Sequence, residues 1–130
     1  MNRFENDVAI VTGSTRGIGA GVAERLASEG ASVVVSGRSE DDGRETVEAI
    51  REAGGTAHFV RADMRDLDDI ETLVSATVAE FGGLDVLVNN AGVETYTGAD
   101  EATVEDWSFV VETDFRAFWL AAKHAYKHIE

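Results

Sequence analysis

Apolar positions along this chain switch between two periods. Val8–Val11 is a continuous apolar run rich in β-branched residues, which suits a strand buried on both faces. Beyond it the apolar positions Ile18, Val22, Leu26 and Ala27 recur at helical spacing, and Gly30 predicts the C-terminal end of that helix. Ala31–Val35 reads as a second buried strand. Ser39 is a fitting N-cap for a helix that carries Val47, Ala49 and Ile50 and closes at Gly54 and Gly55. Thr56–Val60 predicts a third strand. Asp66 can cap a helix with Ile70, Leu73, Val74 and Val78 on one face, ending at Gly82 and Gly83. Leu84–Val88 predicts a fourth strand. After a loop, Thr103 to about Lys127 predicts one long helix, or a short helix followed by a longer one.

Strands alternating with helices predict an α/β fold with a parallel sheet and helical crossovers. Right-handed crossovers favour a doubly wound sheet in the order 3-2-1-4. The 130 residues suit one domain, residues 1–130, without repeat, linker or low-complexity segment. Proline is absent, so the loops are punctuated by glycine and by Asp and Ser caps.

Charge narrows the partners. The chain carries 25 acidic and 11 basic residues, a formal net charge of −14, and its only lysines are Lys123 and Lys127. Nucleic acid and anionic membranes both need a basic surface, so neither is expected as a partner. No apolar run approaches the roughly 18 residues of a membrane helix. The N-terminus shows no signal-peptide pattern, and with no cysteine there is no disulfide framework or thiolate metal site. A cytoplasmic protein is the expectation. The acidity suggests adaptation to high salt, where self-repulsion is screened, or simply an acidic surface. His124 and His128 share a helical face, but no third ligand accompanies them, so no metal is expected.

The chemistry concentrates in the turn after the first strand. The segment Thr12-Gly13-Ser14-Thr15-Arg16-Gly17-Ile18-Gly19 follows a strand and opens a helix, the context of a dinucleotide-binding turn. Glycine at 13 allows a tight turn, at 17 it lets backbone N–H groups approach a pyrophosphate, and at 19 it lets the helix close onto the sheet. The helix N-terminus adds partial positive charge. The same glycines also suit a mere strand-to-helix turn.

The spacing T-G-x-x-x-G-x-G resembles the cofactor loop of the short-chain dehydrogenase/reductase family. Three further matches stand in register: Asn89-Asn90-Ala91-Gly92 after the fourth strand, Asp63-Met64 after the third, and Trp107 opening the last helical run. The resemblance implies a Rossmann-like fold and a nicotinamide dinucleotide as ligand. It assigns Gly13, Ser14, Thr15, Arg16, Gly17, Ile18 and Gly19 to the cofactor loop. Asn90, Ala91 and Gly92 join the same site, and Asp63 with Met64 falls at the adenine, although Asp63 also suits a turn cap. For Asn89 and Thr12, joining adjacent strand ends is an equal alternative.

The second strand ends Val35-Ser36-Gly37-Arg38-Ser39, with no carboxylate at its tip. An acidic residue there would bond the ribose 2′-hydroxyl of NAD, whereas an arginine suits the 2′-phosphate of NADP. Arg38 and Ser39 lie at that corner, and the resemblance adds Arg16 as a second cation. Guanidinium groups match phosphate oxygens in pairs. NADP(H) is therefore favoured over NAD(H); alternatively, Arg38 is a surface residue paired with Glu40 or Asp41.

The family's catalysis rests on a Tyr-x-x-x-Lys pair with a nearby Ser. Tyr96 is followed four residues on by Asp100, and Tyr126 by Glu130, so neither fits. Asp114 stands where the family carries a helix Asn, seven residues after Trp107, and an ionised carboxylate there accepts hydrogen bonds but donates none. The resemblance thus covers the family's cofactor-binding half and stops before its catalytic residues, as in a truncated fold. In that case the fourth strand becomes an exposed edge, and Phe115, Phe118, Trp119 and Leu120 are partly uncovered, which predicts a homo-oligomer through that strand or the last helix. The readings that follow are a binding module inactive alone, an oxidoreductase completed by a partner chain, a non-enzymatic NADP(H) sensor, or a scaffold that has lost binding.

Overall fold

The computed structural model of the protein describes residues 2–92 and 98–129. Four parallel strands form one sheet in the order β3-β2-β1-β4. They are β1 (Val8–Val11), β2 (Ser32–Gly37), β3 (Thr56–Arg61) and β4 (Val86–Val88). The crossovers are α1 (Gly17–Ser28), α2 (Glu40–Glu52) and α3 (Leu67–Phe81). After β4 come α4 (Val104–Val111), a π-helical turn (Glu112–Arg116) and α5 (Ala117–Tyr126). The expected α/β, Rossmann-like, doubly wound sheet is what the chain forms.

Side-chain alternation on β1 and β2 divides the core into two layers. Ala9, Val11, Val33 and Val35 pack with Ala23, Leu26 and Ala27 of α1 and Val47 and Ile50 of α2. Ile10 and Val34 point to the other face, against Ile70, Leu73 and Val74 of α3 and Ala117, Ala121 and Ala125 of α5. Runs of apolar residues in β1 and β2 thus have a helical layer on each side to bury them.

The expected caps form. Ser39 Oγ accepts the Asp42 N–H at 3.2 Å, and Asp66 accepts from the backbone N–H groups of Asp68 and Asp69. Gly82 closes α3 with φ 81°, a conformation that favours glycine.

Several strand ends differ from expectation by one or two residues: β2 starts at Ser32 rather than Ala31, and β3 ends at Arg61 rather than Val60. β2 runs on to Gly37, because it pairs with β3 as far as the Gly37–Arg61 register. β4 begins at Val86 rather than Leu84. Leu84 is buried in the α3 and α5 layer, and the Asp85 carboxylate accepts the Val8 N–H at 2.8 Å, so ladder pairing with β1 starts one step later. The last helical run is continuous but not uniform, since its middle winds as a π turn.

Candidate cofactor site

The C-terminal ends of β1, β2, β3 and β4 open onto a cleft of about 330 Å³. Ligands of open α/β sheets bind outside these strand ends. The cleft is lined by Gly13, Thr15, Arg16 and Gly17 of the loop after β1, by Gly37 and Arg38 at the β2 tip, by Ala62 to Arg65 after β3, by Asn90 to Gly92 after β4, and by Thr113 of the π turn.

The loop is held by its own polar groups. The buried Ser14 hydroxyl donates to Val11 O at 2.6 Å and accepts the Ser36 N–H at 2.9 Å, joining the loop to β1 and β2. Thr12 Oγ1 accepts the N–H groups of Asn90 and Ala91, each at 3.0 Å, and fixes the segment after β4 against the loop. The Asn90 side-chain amide donates to Gly13 O at 3.2 Å. A Cβ on Gly13 would lie 2.8 Å from Ala91 Cα, and one on Gly19 would lie 2.2 Å from Gly13 O. Neither position has room for a side chain, so glycine is what lets these two turns touch.

The first turn of α1 is prepared for an anion. Arg16 occupies its N-cap without a side-chain cap hydrogen bond, and no acidic residue lies in the first turn. α2, α3 and α4 are instead capped by Ser39, Asp66 and Thr103 and carry acidic residues in their first turns. Uncapped N–H groups at a helix start are free to meet a pyrophosphate. The open glycine loop, the uncapped helix start and the arginines beside them are the donor set a dinucleotide requires.

The expected site residues divide into groups. Gly13, Thr15, Arg16, Gly17, Arg38, Asp63, Met64, Asn90, Ala91 and Gly92 line the cleft together. Ser14 and Gly19 lie beneath the loop and shape it. Ser39 caps α2, and Ile18 is 81% exposed on the outer side of α1; neither lines the cleft. Arg38 makes no ion pair among the described residues, and Glu40 pairs with Arg44 at 2.6 Å instead. Asn89 donates to Phe118 O at 3.4 Å, joining β4 to α5, as Thr12 joins β4 to β1. Tyr96 lies outside the described residues.

Four lining residues carry no signal in the motifs: Gly37, Ala62, Arg65 and Thr113. Arg65 had one available clue, a basic residue two positions after Asp63 in an acidic chain. Thr113 lines the cleft from within the π turn. The next residue, Asp114, faces the segment after β4: a Cβ on Gly92 would lie 3.1 Å from its Oδ1.

A sequence model described as short chain dehydrogenase matches residues 7–130. The chain belongs to the short-chain dehydrogenase family. It is 40% identical over 126 residues to 3beta-hydroxysteroid dehydrogenase 1 of Eggerthella lenta, covering 96% of this chain and 48% of that protein. It is 43% identical over 124 residues to a hydroxynaphthalene reductase of Aspergillus fumigatus, covering 95% of this chain and 45% of that one. Among solved structures, a dehydrogenase/reductase from Sinorhizobium meliloti superposes with a TM-score of 0.93 at 41% identity, over 96% of this chain and 50% of that one. A short chain dehydrogenase from Burkholderia cenocepacia in complex with NADP gives a TM-score of 0.94 at 36% identity, over 98% of this chain and 53% of that one. This short-chain dehydrogenase chain therefore spans about half the length of the relatives it matches.

Proposed function

We propose that this chain is an NADP(H)-binding module, the cofactor-holding part of an oxidoreductase that interconverts alcohols and carbonyl compounds. The observation that carries this reading is the charge of the cleft. In a chain of net charge −14, the charged groups lining it among the described residues are Arg16, Arg38, Arg65 and Asp63. A 2′-phosphate needs such a corner, and the NADP complex of the Burkholderia relative supports the same ligand class. Gly13, Thr15, Gly17 and the start of α1 hold the pyrophosphate. Arg16 and Arg38 take the 2′-phosphate, Asp63 and Met64 border the adenine, and Asn90 to Gly92 border the nicotinamide-side ribose. Bound nicotinamide supplies or accepts a hydride.

The 130 residues hold no Tyr-x-x-x-Lys, so by themselves they bind without turning over. A second reading, an oxidoreductase completed by another chain, is favoured by the apolar surface next to the site. Trp107, Phe115 and Trp119 are more than half exposed, and the outer edge of β4 has no strand partner among the described residues. We also propose that a second copy of the chain covers part of this surface.

A thermal melt with NADPH, run beside an assay of NADPH consumption on a panel of ketones and aldehydes, tests the function. A ligand that binds only the folded chain raises its melting temperature. The expected result is a raised melting temperature without consumption. Consumption favours the second reading, and an unchanged melting temperature at millimolar NADPH overturns the binding role.

A further inference from the structure

Arg65 projects into the cleft but belongs to none of the motifs that define the loop. Its guanidinium holds Asp63 by two prongs, Nη2 to Oδ2 at 2.9 Å and Nε to Oδ1 at 3.1 Å, and its backbone N–H donates to the same Oδ1 at 3.0 Å. Two further contacts hold Arg65 in place. Its guanidinium lies 5.2 Å from the centre of the Phe109 ring of α4, and its carbonyl accepts from Arg116 Nη2 at 3.0 Å. Asp63 is fixed from the other side, because its N–H donates to the Asp69 carboxylate at 2.9 Å. The hydrogen bond from the Arg65 side chain holds the Asp63 carboxyl below its usual range, with a smaller contribution in the same direction from the charge of Arg38. Asp63 is therefore ionised at neutral pH and, among the described residues, is the single negative group lining a cleft otherwise charged by three guanidinium groups.

An unpaired carboxylate on that wall repels a phosphate that Arg16 and Arg38 attract. A carboxylate held by two prongs is neutralised where it stands, and bidentate geometry makes the pairing specific. We propose that Arg65 is a specificity-determining residue for the adenosine 2′-phosphate: it screens Asp63 and keeps the phosphate corner net positive. The inference deepens the NADP(H) reading and rests on it. The ligand feature concerned is the 2′-phosphate alone, because NAD(H) presents a neutral hydroxyl at the same place. Loss of Arg65 therefore weakens NADPH more than NADH, and removal of the Asp63 charge reverses that loss.

The test is a double-mutant cycle on the 130-residue chain, using Arg65→Ala, Asp63→Asn and the two together. NADPH and NADH dissociation constants are read from nicotinamide fluorescence. Arg65→Gln, which keeps the aliphatic stem near Phe109, serves in place of Arg65→Ala if circular dichroism shows that the alanine variant has lost its fold. Adenosine 2′,5′-bisphosphate, titrated calorimetrically, reports on the corner without the nicotinamide. The expected result is a fall of about tenfold in the NADPH-to-NADH preference for Arg65→Ala, recovery of most of that preference in the double variant, and a parallel loss and recovery for the bisphosphate. Equal weakening of both cofactors means that Arg65 only props the wall, and overturns the proposal. So does a preference unchanged by Arg65→Ala, or one lost but not regained in the double variant. A wild-type chain that binds neither dinucleotide overturns the NADP(H) reading itself, an outcome distinct from the other three.

Discussion

In the proposed NADP(H) site, Arg38 and Gly19 would serve the ligand by different physics. Arg38 stands at the tip of β2 without an ion-pair partner among the described residues, ready to exchange water for phosphate oxygens. A charge-assisted hydrogen bond contributes about 1.5–3 kcal/mol, so Arg38→Asp raises the NADPH dissociation constant roughly ten- to a hundredfold in a fluorescence titration. The same change improves NADH, whose 2′-hydroxyl bonds a carboxylate there. If NADPH affinity is unchanged, Arg38 is not at the phosphate. Gly19 acts through space. Gly19→Ala drives a methyl toward Gly13 O, which costs about 1–3 kcal/mol of stability by denaturant titration and also displaces the loop from its ligand. Glycine at 13 and 19 was legible in the sequence, because spacing alone marks where the chain must pass close to itself. Arg65 was not, because its place depends on the wall after β3 and on Phe109, which lies 44 residues further along the chain.

At the level of elements, most of the architecture could be read from period and caps. Buried runs, Ser39, Asp66 and the glycines after each helix marked strands and helices within a few residues, and the crossover rule gave the sheet order. Strand ends were less legible because ladder pairing, not composition, sets them. Gly37 joins β2 through its partner Arg61, and Leu84 leaves β4 because its side chain belongs to the helical layer. The π turn at Glu112–Arg116 left no trace in the pattern, since one added residue per turn looks like drift in a 3.6-residue period. Within it, Thr113 lines the cleft and Asp114 lies beside Gly92. Caps give the most direct check at this scale. Asp66 satisfies the first N–H groups of α3, so Asp66→Ala lowers stability by about 1 kcal/mol. In a domain of this size the melting temperature falls by roughly 3–5 °C in a calorimetric scan. An unchanged melting temperature means that water replaces the cap.

For the whole molecule, charge and exposed apolar surface pull in opposite directions. A net charge of −14 keeps copies apart and strains the compact state, while Trp107, Phe115, Trp119 and the β4 edge favour association. Salt screens the first and leaves the second. The chain is therefore expected to melt at a higher temperature in about 2 M than in about 0.05 M salt, as the Debye length contracts from roughly 14 to 2 Å. Equal melting temperatures in the two buffers contradict adaptation to salt. Light scattering at micromolar concentration is expected to show a homo-oligomer, which Trp119→Glu shifts toward monomer. A monomeric wild type contradicts the homo-oligomer. Among the described residues no helix is long and apolar enough to cross a membrane.

The most direct measurement is a parallel titration of the purified chain with NADPH and NADH, following nicotinamide fluorescence at low and high salt. The cleft described here predicts saturable NADPH binding and an NADH affinity at least about tenfold weaker, the equivalent of one charge-assisted contact. Equal affinities contradict the role of the arginine corner, and binding of neither cofactor contradicts the account as a whole.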